Sequence, residues 1–293
     1  MTYNIIQKNK KLIIQGLEHF KPKHIFECGQ CFRWFVEEDG SYTTISGGRV
    51  LNILEKDNMF IVDLATKEDW QEYWHHYFDL DRDYGDIKEE LSKDPILKES
   101  IDFGFGMRIL NQEPYETIIS FMISANNGIP RIKNAVNAIA MDLGDHLMTY
   151  KGREIYSFPG PDKLAGKTTE YIKEKYRVGF RSDRIREVSR RIAEGEFDIQ
   201  CIFNKEHKDA QEMLTTLPGV GPKVSDCILL FAYDKAESFP VDVWVKRVME
   251  HFYFKRNATK KELESSGEDI FGPLAGYAQQ YLFYYARELG LGK

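Results

Sequence analysis

Residues 208–254 read KDAQEMLTTLPGVGPKVSDCILLFAYDKAESFPVDVWVKRVMEHFYF. The pattern predicts a helix, a glycine hairpin, a second helix and an aspartate that opens a third, with the helix-hairpin-helix unit at about 208–232. In LPGVG (217–221), Pro218 presets a turn dihedral, while Gly219 and Gly221 permit conformations and close approaches that a side chain would block. Pro222 stands where a first helical residue is expected, and Val224, Cys227, Ile228 and Phe231 recur at helical spacing to bury one face. A glycine turn feeding a helix start leaves N–H donors unpaired at the positive end of the helix dipole, which suits a phosphate oxygen. Gly219, Gly221 and Val224 are the expected donors. An ordinary tight connection between two helices is the plainer reading of the same turn.

Upstream, between His24 and Leu64, HIFECGQCFRWFV, SYTTIS, RVLNILE and MFIVDL read as extended runs separated by EEDG, GG and KDN turn signals. An acidic, aromatic helical stretch follows, with Thr66 and Asp69 in capping-box spacing at its start. From Phe105 onward the periodicity is helical, as in PYETIISFMISA, IPRIKNAVNAIAMDL and SDRIREVSRRIAEG. The expected fold class is therefore α+β: an N-terminal antiparallel β-sheet domain with helices over 1–105, then a mostly α-helical region over 106–293.

A chain of 293 residues that is 42% hydrophobic and 29% charged can bury sizeable cores, which excludes intrinsic disorder. The longest uncharged apolar run, Cys227 to Tyr233, is far short of a membrane span, and the N-terminal residues lack an apolar signal core. A cytoplasmic protein, nucleoid-associated if bacterial, with no membrane partner is the expectation. Four cysteines cannot build a disulfide framework; Cys28 and Cys31 form a C-x-x-C pair, but no second pair completes a metal site, so two packed thiols are expected. The net charge is −6, yet it is unevenly spread. Residues 54–99 carry fourteen acidic against six basic side chains, whereas 167–191 carry nine basic against four acidic with aromatics interleaved. That basic segment reads either as a solvated amphipathic helix or as a nucleic-acid face.

Two residues in the opening stretch carry chemistry. Lys223, at the start of the second helix, sits where the dipole and apolar packing disfavour an added positive charge and would lower its pKa; read alone it is a phosphate contact or a nucleophile. Asp242 precedes the helical pattern Val245, Val248, Met249, Phe252 and is an expected N-cap, whose amide donors would keep the carboxylate ionised.

The string LPGVGPKVSDC with its downstream aspartate resembles the helix-hairpin-helix motif of the DNA glycosylase superfamily, and most resembles the 8-oxoguanine DNA glycosylase branch. CGQCFRW (28–34), NNGIPRI (126–132), GFRSDR (179–184), FPVDV (239–243) and GPLAGYAQQYLF (272–283) resemble family segments in the family's order. The resemblance implies that Lys223 attacks the deoxyribose C1′, that Asp242 stabilises positive charge on the sugar, and that a Schiff base leads on to strand cleavage. It implies that Phe283 and Cys227 sandwich an extruded base, that Gln279 bonds its Watson–Crick edge, and that the Gly29 carbonyl reads the N7–H of 8-oxoguanine. Asn126, Arg131 and Arg181 would fill the vacated stack and bond the orphaned cytosine, with Phe180 as the wedge. The backbone of Thr215, Leu217 and Val220 matches a place where the family can hold a cation, although no metal is required. No cofactor is expected, because no cysteine follows Cys227 to hold an iron–sulfur cluster.

The sequence departs from the pattern of the eukaryotic enzymes at three places: Phe180 replaces a tyrosine, Gly128 an asparagine and Trp244 a phosphate-binding histidine. The expected activity is a bifunctional DNA glycosylase/lyase acting as a monomer on double-stranded DNA containing 8-oxoguanine. An alkylated-base glycosylase, a non-catalytic helix-hairpin-helix DNA-binding protein and a thiol oxidoreductase are the competing readings.

Overall fold

The computed structural model describes residues 3–290. Six strands form one antiparallel sheet: β1 (Asn4–Lys8), β2 (Lys11–Gln15), β3 (Trp34–Val36), β4 (Tyr42–Ser46), β5 (Arg49–Lys56) and β6 (Met59–Asp63), in the order β1-β2-β6-β5-β4-β3. Alternation drives it. Leu12 and Ile14 face Val62 and Phe60 across the β2–β6 pair, and these four turn inward while their neighbours face out. Trp70, Trp74, Tyr77 and Phe78, from the helical turns opened by the Thr66–Asp69 capping box, close over that sheet.

Three details differ from the expected meander. β1 and β2 add two strands ahead of His24, and HIFECG is not extended, since Pro22–Phe26 is a short helix and regular pairing resumes only at Trp34. A Pro at the first helical position and the burial of Ile25 and Phe26 outweigh the β-propensity of the run. A two-stranded hairpin, β7 (His146–Tyr150) with β8 (Arg153–Tyr156), interrupts the helical part.

The remaining chain is helical, with the longest helices at Pro114–Ser124, Ile129–Leu143, Ser182–Ala193, Pro222–Ala232 and Ala275–Leu289. The helices Tyr84–Leu91 and Pro95–Phe103 bury Tyr84, Ile87, Leu97 and Ile101 in this second, larger core rather than against the sheet. Among the described residues, no helix is long and apolar enough to cross a membrane.

The two cores meet along a seam of buried polar groups. The fully buried Gln30 donates from Nε2 to the carbonyls of Ile25 (2.9 Å) and Arg108 (2.8 Å), while its Oε1 accepts the Leu110 amide (2.9 Å). Arg108, also buried, donates to the carbonyls of Phe78, Asp79 and Arg82. Replacing Gln30 by Leu strands the Arg108 carbonyl and the Leu110 amide in the interior and leaves the Ile25 carbonyl only the Cys28 thiol. The expected loss is about 3 kcal/mol in chemical denaturation; a loss under about 0.5 kcal/mol, no larger than a typical surface substitution, would show that this seam does not hold the cores together.

Candidate active site

The helix His207–Thr215 leads into the hairpin, and Pro222–Ala232 follows it. The Val220 amide donates to the Leu217 carbonyl (3.1 Å) and closes the turn. Gly219 has φ +87°, a conformation that favours glycine, and a Cβ there would lie 2.7 Å from Cδ of the exposed Arg184 side chain, which would have to shift. Gly221 differs: its backbone is extended and a Cβ would meet nothing within 4 Å. No side chain caps the helix that starts beyond it, so its first amides face outward. Of the three carbonyls matched to a cation site, that of Leu217 accepts the Val220 amide, and the neighbouring Thr216 carbonyl accepts from Arg191 Nη1 at 3.0 Å.

Lys223 and Asp242 line one cavity of about 700 Å³, together with Gly29, Cys227, Gln279 and Phe283. Five separate stretches of chain build it, and its size suits a single planar heterocycle with its sugar. The Lys223 Nζ sits 5.7 Å from the ring centroid of Phe121. That ring stacks on Phe231 and takes the edge of Phe32, which makes an aromatic floor beneath the amine. Among the described residues, no salt bridge fixes Lys223.

Asp242 caps the helix Val243–Val248, its Oδ1 accepting the amides of Trp244 (2.9 Å) and Val245 (2.8 Å). The capping role agrees with the sequence, but the capped amides alone do not set how the carboxyl titrates. Burial in the cavity wall pushes the Asp242 carboxyl above the usual carboxylate range, and the opposing pull of the Val245 amide, Lys223, the Trp244 amide and Arg287 does not cancel it. Burial likewise raises the Cys227 thiol to about 11, so it meets the cavity as a neutral, polarisable surface. Cys28 and Cys31 are buried free thiols, both raised by burial.

Gln279 is only 4% exposed, and its Oε1 has no partner in the protein. An orphaned amide oxygen lining a cavity is a request for a ligand donor. Gly29 lies outside the strands, in the bend that follows the Pro22–Phe26 helix, with φ +88°, and a Cβ there would come within 3.1 Å of the Phe283 ring. Asn126, at φ +53°, and Arg131 line the cavity mouth. Phe180 is 61% exposed, with the guanidinium of Arg181 4.4 Å from its ring centroid. Arg181 itself is committed to main-chain carbonyls, donating to Ala125 (3.1 Å from Nε), Asn126 (3.2 Å) and Val178 (3.1 Å), so in the free protein it straps the Asn126 turn. Neither Phe180 nor Arg181 lines the cavity.

Sequence reasoning missed Phe121, Gln280 and Arg287. Gln280 follows Gln279 and lines the cavity, and Arg287 lies one turn beyond Phe283, a spacing that placed it on the same helix face.

The raised Asp242 carboxyl has a consequence for stability. A carboxyl whose folded pKa exceeds its unfolded value makes the fold lose stability as pH climbs from the unfolded value through the folded one. Asp242→Asn, which keeps an acceptor for the capped amides, is expected to melt above the native protein at pH 7. The gain shrinks towards zero as pH falls below about 4; a variant that melts lower at every pH contradicts the assignment.

Residues 12–118 match the family described as 8-oxoguanine DNA glycosylase, N-terminal domain, and residues 119–273 match the HhH-GPD superfamily of base excision DNA repair proteins. The chain is 36% identical to a probable N-glycosylase/DNA lyase of Methanothermobacter thermautotrophicus, across 74% of each protein. It is 29% identical to an N-glycosylase/DNA lyase of Saccharomyces cerevisiae, across 91% of this chain and 83% of the other. Its structure superposes, at TM-score 0.95 and 43% identity over 99% of this chain and 100% of the other, on the Clostridium acetobutylicum 8-oxoguanine glycosylase/lyase solved with double-stranded DNA containing cytosine opposite 8-oxoguanine. A helix-hairpin-helix that delivers an amine and a capping carboxylate into one base-sized cavity, fronted by this N-terminal domain, places the chain in the 8-oxoguanine DNA glycosylase branch of the HhH-GPD superfamily.

Proposed function

We infer that the chain is a bifunctional DNA glycosylase and abasic-site lyase that excises 8-oxoguanine from duplex DNA. The observation that carries this reading is the convergence of Lys223 and Asp242 on a cavity whose other walls suit a planar, polar-edged base. Chemistry at C1′ requires the nucleotide to leave the stack, and the cavity accepts it between Phe283 and Cys227. Gln279 takes the Watson–Crick edge with its partnerless oxygen. The Gly29 carbonyl accepts N7–H, a proton that 8-oxoguanine carries and guanine lacks.

The Lys223 amine, in its neutral form, forms a bond to C1′ as the C1′–N9 bond breaks; the base departs with that bond's electron pair and takes up the proton that the newly alkylated nitrogen gives up. Asp242 offsets positive charge on the sugar. Opening of the sugar ring gives an iminium between Lys223 and C1′, which acidifies C2′–H. Loss of that proton expels the 3′ phosphate, and water releases the enzyme. Phe180 enters the duplex as the wedge, while Asn126 and Arg131 occupy the gap beside the orphaned base, with Arg181 holding the Asn126 turn or turning to that base. The outward amides of Gly219, Gly221 and Val224 hold phosphate, and the open space at Gly221 leaves room for the backbone. The protein works as a monomer without a cofactor, in the cytoplasm or at the nucleoid.

A purely DNA-gripping role would leave the cavity and its orphaned Gln279 oxygen without purpose, and an alkylated-base pocket would not call for an amide at that edge. The discriminating experiment is borohydride trapping on a duplex carrying 8-oxoguanine. The native protein is expected to yield a covalent adduct and Lys223→Gln none, with base release slowed at least ~10³-fold. An adduct that persists in the variant would falsify Lys223 as the nucleophile.

A further inference from the structure

Residues 27–31 link the helix Pro22–Phe26 to β3 without regular structure, yet their carbonyls are gripped almost one by one. Arg287 Nη2 donates to the Glu27 carbonyl and Gln280 Nε2 to that of Cys28 at 2.9 Å. Gln112 Nε2 donates to the Gln30 carbonyl at 2.9 Å, and Trp34 Nε1 to that of Cys31 at 3.1 Å. Among the described residues, nothing donates to the carbonyl of Gly29, the residue of this run that reaches furthest into the cavity wall.

We propose that Gln280 and Arg287 are positioning residues that hold the Gly29 carbonyl at the one orientation in which it can test a purine for a proton on N7. The proposal rests on the reading of Gly29 given above and adds what gives that reading its selectivity. A carbonyl free to rotate would turn away from the lone pair on guanine N7 and tolerate the undamaged base. One held from both sides must either accept a proton or face a repulsive lone pair. The peptide before Gly29 is held through the Cys28 carbonyl, and the one after it through Gln30, whose side chain is itself locked into the seam. Gln280 can do this because it is 2% exposed and its amide nitrogen is committed to the Cys28 carbonyl.

Arg287 couples this reading carbonyl to the stacking wall. Its guanidinium lies 5.3 Å from the Phe283 ring centroid, and its Nη1, buried and without a partner, is what a Cβ on Gly29 would strike first, at 2.9 Å. Glu288 Oε1 accepts from Nε at 3.0 Å and balances the charge from the solvent side. One side chain thus presses the Gly29 turn and the Phe283 ring into register, so a base stacked on the ring presents its N7 edge to the carbonyl.

The test compares two duplexes, one carrying 8-oxoguanine and one carrying 7-deaza-8-oxoguanine, which has C–H where the lesion has N7–H. Binding is read by fluorescence anisotropy in a Lys223→Gln background, so that neither duplex is turned over. The background protein is expected to prefer 8-oxoguanine about tenfold, the value of one well-made hydrogen bond. Adding Gln280→Met or Arg287→Met should cut that preference to about twofold or less, while Arg287→Lys, which retains a donor for the Glu27 carbonyl, keeps most of it. A duplex with a stable abasic-site analogue, which has no base to read, reports the folded, DNA-competent fraction of each variant. Should Gln280→Met not fold, the contrast between Arg287→Met and Arg287→Lys decides. A background preference near one overturns the Gly29 reading itself. A tenfold preference that survives both Met variants overturns the positioning role and leaves that reading standing; survival in only one removes that residue from it.

Discussion

Irregular backbone buried in a protein interior must find partners for every polar group it carries, because water is not there to supply them. The chain from Glu27 to Cys31 is such a segment: it passes between the two cores, and the carbonyls of Glu27, Cys28 and Gln30 are met by side chains from helices and loops more than eighty residues away. Gln30 extends the same logic to residues 108–110. These bonds decide where the sheet domain sits on the helical body. They therefore decide that Gly29 faces Phe283, and whether the cavity has a fourth wall at all. Hydrophobic burial supplies the bulk of the driving force for both cores, but it is indifferent to a slip of a few ångströms at the junction, and buried hydrogen bonds are not.

The other walls follow from helix starts. Pro222–Ala232 and Val243–Val248 begin at the cavity, each with the first-turn amides that every helix leaves unpaired. In one helix no side chain takes those amides, and a lysine is carried beside them over an aromatic floor. In the other an aspartate takes them, and is driven above its ordinary range by the burial that brings it there. The buried carboxyl thus sits in an environment that costs stability, as expected where a site and not the fold dictates its place.

Most of the site was readable before any coordinates. The hairpin, its proline at the helix start, the cap at Asp242 and the apolar face of Val224, Cys227, Ile228 and Phe231 are local patterns with local causes, and each lies as the pattern says. The capping box at Thr66 is another. The short helix at Pro22–Phe26 escaped because β-branched and aromatic residues in a run look extended until their burial is known. β7 and β8 escaped because a hairpin so short leaves little alternation to read. The direction in which the Asp242 carboxyl shifts escaped because capping and burial act oppositely, and only the depth of the group says which is larger.

By itself the sequence determined the hairpin, the helix starts that flank it, the change from strand to helical periodicity and the family whose pattern they follow, since these are written in spacings of a few residues. The tertiary structure alone decided that Gln280 and Arg287 reach back some 250 residues to grip the backbone on one side of Gly29. It alone left the Gln279 oxygen unpaired among filled neighbours. A hydrogen bond between distant segments depends on how two cores dock, and docking is a property of summed surfaces that no local pattern records.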